Sequence, residues 1–301
     1  MKLKYVETIK ANLSIAASKK TTHLLDGLYH SVFKGQSLDF DDLRDYVVGD
    51  NFKDIDWKSS IRHGSLLVRR FVAFRKHNIL FLVDTGEKML GLTPNDEQKS
   101  MVALYVLGTL GYLVSRNGDE IGAVYVKGDN FEVKNFRSGL VQLESILADV
   151  DKNISLPNDK NVNQLIEMAI KNQKRRMIIV LISDLKGLND LDEDLLRKVS
   201  MNHDFLFIGI DDADITSGER DNKKRRRKVN YDMEAKTNVP RFVMKNKDFA
   251  KKEKQIKLKI LNEKTTLLRR YRMSVVMVGS RAQIADKIID LLERHNHAVR
   301  R

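Results

Sequence analysis

Four short, almost wholly apolar runs constrain this chain more than any other feature: Ile79 to Val83, Met177 to Ile182, Phe205 to Ile210 and Ser274 to Val278. Each is rich in Ile, Val, Leu or Phe and shows no polar alternation. Strands of a parallel sheet read this way, because helices cover both of its faces and leave no side for water. Two further runs, Ile121 to Val126 and Phe131 to Phe136, flank Lys127-Gly128-Asp129-Asn130, a turn sequence suited to a hairpin. Helical patterns fill the gaps, over Pro94 to Arg116, Leu140 to Val150, Val162 to Lys171 and Leu191 to Met201. A terminal helix carries Ile284, Ile288, Leu291, Leu292 and His295 on one face. Alternating strand and helix predicts an α/β fold, with a doubly wound, mostly parallel central sheet and helices on both faces.

Two regions break the rhythm. Residues 1–76 read as an N-terminal arm: a helix, a loop-rich charged stretch, then a strand-like run from Leu66 to Phe74. Residues 77–298 form the α/β domain, with a basic insertion at about 212–272. The net charge of +13 is concentrated there, since Glu219 to Arg272 holds 20 Lys and Arg against 7 Asp and Glu, and the rest of the chain is balanced. The densest part is Lys223-Lys224-Arg225-Arg226-Arg227-Lys228, and a lysine-rich helix follows with Phe249, Ile256, Ile260, Leu267 and Tyr271 on one face. Such a segment reads as a solvated loop, as a surface for an acidic partner or anionic membrane, or as a nucleic-acid contact. Few aromatics interleave it, so base-stacking platforms are not evident and nucleic acid ranks third.

Several function classes fall away. With no cysteine in the chain, disulfides and thiolate metal sites are excluded. The first residues lack the apolar core of a signal peptide, and Met101 to Val114 is too short to span a bilayer. A cytoplasmic protein is expected, with the basic insertion allowing a peripheral position at the inner face of the membrane. There is no phosphate loop ending in Gly-Lys-Ser/Thr, no Gly-x-Ser-x-Gly and no His-Glu-x-x-His. No enzymatic activity is expected. Asp50, Asp54 and Asp56 are close enough in sequence to suggest paired catalytic carboxylates, but Arg44, Lys53, Arg62, Arg69 and Arg70 around them favour structural ion pairs. Trp57, the single tryptophan, reads as a core anchor of the arm. His295-x-His297 has no metal-binding context and reads as solvated near the end of the chain.

Ligands of open α/β sheets bind beyond the carboxyl ends of the strands, where strand order reverses. For the order 3-2-1-4-5-6 that point lies between the first strand, ending in Val83-Asp84, and the fourth, ending in Ser183-Asp184. Phe81-Leu-Val-Asp84-Thr-Gly-Glu-Lys-Met89 resembles the metal-ion-dependent adhesion site of von Willebrand A domains, which reads Asp-x-Ser-x-Ser and is completed by a Thr and a second Asp. Gly27 to Gly35, Leu43 to Trp57 and Ser60 to Phe71 are similar to one family in particular, as are Val180 to Leu185 and His203 to Asp211. It is the domain of unknown function 58 family, von Willebrand A-like proteins often encoded beside MoxR-type AAA+ ATPases. The resemblance covers roughly residues 23–295, and its specific part is the stretch holding Arg44, Tyr46, Gly49, Asp50, Asp56, Trp57 and Arg62.

The resemblance implies a von Willebrand A-like fold and a protein–protein adaptor working with a MoxR-type ATPase or another protein partner. It also implies a degenerate metal site made of Asp84, Gly86, Lys88, Asn163 and Asp184. Gly86 and Lys88 replace the two serines, and Asn163 aligns with the Thr. Mg²⁺ favours near-octahedral oxygen ligands, so losing both hydroxyls and adding an ammonium argues against it. No cofactor is expected; any Mg²⁺ would rest on Asp84 and Asp184. Lys88 is expected between the two carboxylates as their counter-charge.

Overall fold

The computed structural model of the protein describes residues 3–16, 24–29, 40–71, 76–154, 158, 160–171, 175–214, 231–232, 237–238 and 247–299. The cluster Lys223 to Lys228 lies outside the described residues. Two compact units emerge, one of residues 1–32 with 78–301 and one of residues 33–77.

The larger unit is built on six strands: β3 (Asn78–Val83), β4 (Glu120–Lys127), β5 (Asn130–Ser138), β6 (Ile178–Asp184), β7 (Asp204–Ile210) and β8 (Ser274–Val278). Their order is β8-β7-β6-β3-β4-β5, which is the doubly wound order expected. All neighbours are parallel except β5, which returns antiparallel to β4 through the Lys127 to Asn130 hairpin. Side-chain alternation sends Leu80, Leu82, Ile179, Leu181, Phe205 and Phe207 to one face, where they pack with α5 (Val162–Lys171), α7 (Glu193–Asn202) and the end of α8 (Lys247–Arg270). The other face is covered by α3 (Lys99–Arg116), whose residues are buried along nearly its whole length. No described helix is long and apolar enough to cross a membrane.

The expected arm over residues 1–76 is divided. Helix α1 (Lys4–Ala16) packs on α3 and α4 (Leu140–Asn153) of the larger unit. Val6, Ile9 and Leu13 are buried, and Gly108 of α3 makes room, since a Cβ there would lie 1.9 Å from Ile9 Cδ1. The buried Glu144 carboxylate accepts from the amides of Tyr5 and Val6 at 3.0 and 2.9 Å, meeting donors that the start of a helix leaves unpaired. His295 also departs from expectation. It is buried on the core side of α9 (Ile284–Val299), with its Nδ1 unpartnered among the described residues.

The smaller unit pairs β1 (Phe40–Asp45) antiparallel with β2 (Leu67–Phe71), joined through α2 (Trp57–His63). Among its described residues Ile55, Ser60, Leu67 and Val68 are buried. Trp57 is not the anchor expected of it and stands 59% exposed. Helix α2 turns Ser60 inward, and Trp57 and Ile61, four positions apart, share an outward face.

Candidate functional site

Parallel pairing of β3 with β6 brings both strands to the same end of the sheet, and an aspartate stands at each terminus. Asp84 and Asp184 are both buried. Asp84 donates its amide to Ile182 O at 2.9 Å, and its Oδ1 accepts from Gly86 N at 3.1 Å. Ser183 Oγ donates to Asp84 Oδ2 at 2.5 Å. Asp184 caps α6 (Leu185–Asp190), its Oδ1 accepting from Gly187 N at 2.9 Å. Only glycine fits at 187, because a Cβ would lie 2.0 Å from Ser183 Oγ.

Two lysines face these carboxylates. Lys88 lies in the single helical turn Glu87–Leu90, and its Nζ sits 2.8 Å from Asp84 Oδ2 and 3.5 Å from Asp184 Oδ1. Lys99, the first residue of α3, places Nζ 3.0 Å from Asp184 Oδ2 and also bonds Asp212 Oδ1. Gly91 leaves space for it, a Cβ there meeting Lys99 Cε at 3.1 Å. The result is a chain of alternating sign, Asp84–Lys88–Asp184–Lys99–Asp212. Burial disfavours a charged amine, but Asp84 and Asp184 outweigh it and hold Lys88 above the ordinary lysine range. Asp184 and Asp212 do the same for Lys99. Burial pushes Asp184 upward too, yet Lys99, Lys88 and the Gly187 amide bring it below the usual carboxylate value. Asp212 is raised, its burial exceeding the pull of Lys99.

Lys257 of α8 extends the network, donating to Asp214 Oδ1 at 3.0 Å and Asp212 O at 3.2 Å. The helix that closes the basic insertion is thereby tied to the loop beside the carboxylates. Lys99 and Asp212 were missed in the sequence, although a signal existed. A lysine in the first turn of a helix opposes the helix dipole and so calls for a carboxylate partner, a signal for Lys99 alone.

Asn163 does not join this group. Its Nδ2 donates to Asp190 O at 2.8 Å and its Oδ1 accepts from Asp192 N at 3.1 Å. A side-chain amide can satisfy a carbonyl and an amide at once, and here it bridges the end of α6 and the start of α7. Among the described residues no three His, Cys, Asp or Glu side chains gather as a metal-binding group.

The motif residues of the smaller unit hold its own turns. Arg44 Nη2 pairs with Asp50 Oδ1 at 2.5 Å, and Asp50 Oδ2 accepts from Val47 N at 2.9 Å. The Arg44 bond and then the Val47 amide hold the Asp50 carboxyl below its usual value. Gly49 adopts φ +111°, a backbone conformation that side chains resist. Tyr46 stacks on Phe52 at 5.8 Å, Asp56 caps α2 through Ser59 N at 3.0 Å, and Arg62 is exposed.

Solved structures give distant likenesses. An aerotolerance-related membrane protein from Bacteroides fragilis aligns at 12% identity over 72% of this chain and 98% of that one, with a TM-score of 0.43. BatB from Bacteroides thetaiotaomicron gives 14% identity over 72% and 99%, with a TM-score of 0.41. A von Willebrand factor type A protein from Catenulispora acidiphila gives 9% identity over 73% and 43%, with a TM-score of 0.42. No curated protein matches the chain. The family described as "Protein of unknown function DUF58" matches residues 42–216, more than half of the chain, and the protein belongs to that family.

Proposed function

We propose that the protein is a non-enzymatic adaptor that recognises other proteins, a MoxR-type AAA+ ATPase first among them, on the cytoplasmic side. One observation carries this reading. The smaller unit, which holds the family motif, exposes Val47, Val48, Phe52, Trp57 and Ile61, with Val48 at 95% and Ile61 at 82%. Large apolar side chains left in water at this density mark contact surfaces for other proteins.

The carboxylate–lysine chain supports the same reading, because it favours recognition without a bound metal over a metal-dependent adhesion site. Mg²⁺ requires near-octahedral oxygen donors. Here the ammonium groups of Lys88 and Lys99 lie against both sides of Asp184. That donor set does not fit a divalent ion, and the site is a degenerate one in which lysines stand in for the metal. Recognition then falls to the exposed apolar face. Trp57→Ala with Ile61→Ala should weaken capture of a MoxR-type ATPase about tenfold or more without loss of folding, since both side chains are already outside. Unchanged capture by the double variant, or no capture by the native protein, refutes the adaptor reading.

A second reading rests on α8. Its N-terminal half exposes Phe249 and Ile256 at 41% and 59%, next to exposed Lys251, Lys252 and Lys254. Apolar anchors set among lysines suit an anionic membrane surface. Replacing Lys251, Lys252 and Lys254 by Ser should weaken binding to anionic liposomes at low salt more than binding to DNA. Equal liposome binding before and after the replacement removes this reading.

A further inference from the structure

A second charged feature lies at the opposite end of the sheet from the carboxylates. Helix α8 ends with Arg269 and Arg270, turns through Tyr271 and Arg272, and enters β8 at Ser274. The turn is closed by two backbone bonds, Arg272 N to Arg269 O at 3.0 Å and Met273 N to Leu268 O at 2.9 Å. This closure places the residue after the cap in the left-handed region, which normally selects glycine. Arg272 occupies it with φ +58°. A non-glycine residue held in this region is imposed by the structure around it, and such positions gather at ligand sites.

That side chain lines a cleft of about 710 Å³ between the end of α8, the start of β8 and the last turns of α9. Arg269, Arg270, Arg294 and His297 line it with Arg272, and the lining contains no acidic residue. Arg270 pairs with Glu193 at 3.3 Å, and Arg294 Nη1 donates to Val275 O at 3.4 Å. Among the described residues no ion pair engages Arg269, Arg272 or Arg294. Complementing the helix dipole accounts for Arg269 and Arg270 at the end of α8. It does not account for Arg272, beyond the helix, or for Arg294 on another helix. The volume is that of a small-molecule site, about 300–1,000 Å³. Met273, Val275 and Ala298 give the cleft an apolar side.

We propose that this cleft binds a phosphate-bearing anion, its oxygens held by the guanidinium forks of Arg269, Arg272 and Arg294 and its apolar remainder set against Met273 and Val275. Planar guanidinium groups match phosphate oxygens two at a time, and a phosphate supplies the counter-charge that three unpaired arginines lack. The inference is independent of the adaptor reading and of the lysine–carboxylate chain. The phosphate can belong to a free metabolite or to a lipid headgroup, and the experiment separates the two.

The full chain is titrated at low salt with inorganic pyrophosphate, and separately with phosphatidylcholine vesicles containing phosphatidic acid or lacking it. Pyrophosphate should raise the melting temperature, and added salt should weaken the effect. Arg272→Gly should weaken binding about tenfold or more. Without anion the same variant should melt no lower than the native protein, because glycine accepts φ +58° freely. Arg294→Gln, on the other wall, should weaken binding in the same way. Binding of phosphatidic acid vesicles that both variants lose assigns the phosphate to a lipid; a pyrophosphate response alone assigns it to a free anion. No response of the native protein to either probe overturns the proposal, and so does a response that both variants retain.

Discussion

Lys99 and Lys88 differ in what each leaves behind when removed. Lys99 is the only described amine in contact with the Asp212 carboxylate and reaches Asp184 at 3.0 Å, with its own side chain 4% exposed. Lys88 shares Asp184 with Lys99, and Asp84 keeps the Ser183 hydroxyl if Lys88 is lost. Lys99→Ala should therefore destabilise the fold by about 3 kcal/mol, because it leaves the half-buried Asp212 carboxylate without a contacting amine and the buried Asp184 with Lys88 alone. Lys88→Ala should cost less, about 1–3 kcal/mol. Denaturant unfolding checks the order, and equal losses contradict the shared role of Asp184. The same geometry governs metal binding. EDTA and Mg²⁺ should leave the melting temperature of the native protein unchanged. Gly86→Ser with Lys88→Ser restores two hydroxyls, and a Cβ at Gly86 meets only Asp84 Oδ1, at 3.3 Å, as a close contact. Lys99 still pairs with Asp184 in that variant, so Mg²⁺-dependent stabilisation should be weak until Lys99 is also replaced, here by Met. Strong stabilisation of the first double variant by Mg²⁺ argues that Lys88 alone excluded the ion.

Helix α9 supplies the pH prediction. Burial, the largest influence, holds His295 below its ordinary value of 6.5, with Asp204 opposing and Arg176 assisting. The unfolded chain then binds a proton that the folded one refuses, so stability falls as pH drops below about 6.5 and levels off below the folded pKa. Asp211 and Asp212 are raised and act in the opposite direction at lower pH. Comparison with His295→Leu isolates the histidine: between pH 7.5 and 5.5 the native protein should lose more stability than the variant. Parallel loss would show that His295 does not titrate with folding. The burial of His295 was legible in its place on the apolar stripe of α9, and reading it as solvated ignored that spacing. Five of the six sheet strands were legible because burial on both faces leaves them almost no polar residue, and the antiparallel edge strand β5, polar and partly exposed, was legible through the hairpin turn that precedes it. Strand β1, Phe-Asp-Asp-Leu-Arg-Asp, was not legible, since a two-stranded ribbon needs few apolar side chains. Asp84 and Asp184 could be read because strand ends are fixed by topology. Lys99 and Asp212 belong to the site through a loop conformation that no periodicity encodes, and Asn163 was misplaced because alignment to a pattern says nothing of which carbonyl an amide will meet.

At the scale of the molecule, the chain leaves one unit after residue 32, completes another over residues 33–77, and returns at β3. Each has its own interior: Ile55, Leu67 and Val68 in the smaller, and the six-stranded sheet with its helices in the larger. The N-terminal segment belongs to the larger one. Leu25 and Tyr29 are buried there, Tyr29 donates to the Asp119 carboxylate, and α1 covers α3. Replacing residues 34–76 by a flexible Gly/Ser linker should therefore leave a protein that unfolds cooperatively, with its sheet and α1 intact. Deleting residues 1–16 instead should destabilise the larger unit, because Val6, Ile9 and Leu13 each contribute about 2 kcal/mol of burial and the Glu144 carboxylate would lose both helix amides. The two truncations thus differ in sign from what a continuous arm over residues 1–76 requires, where either cut would damage the same body. The linker variant should also lose ATPase capture while keeping its response to pyrophosphate, since Arg269, Arg272 and Arg294 all lie in the part that remains. Circular dichroism with thermal melts reads the first outcome and the two binding assays read the second. A linker variant that is insoluble or melts without a transition would mean that the smaller unit is needed to fold the larger, and the division drawn at residues 32 and 78 would fall.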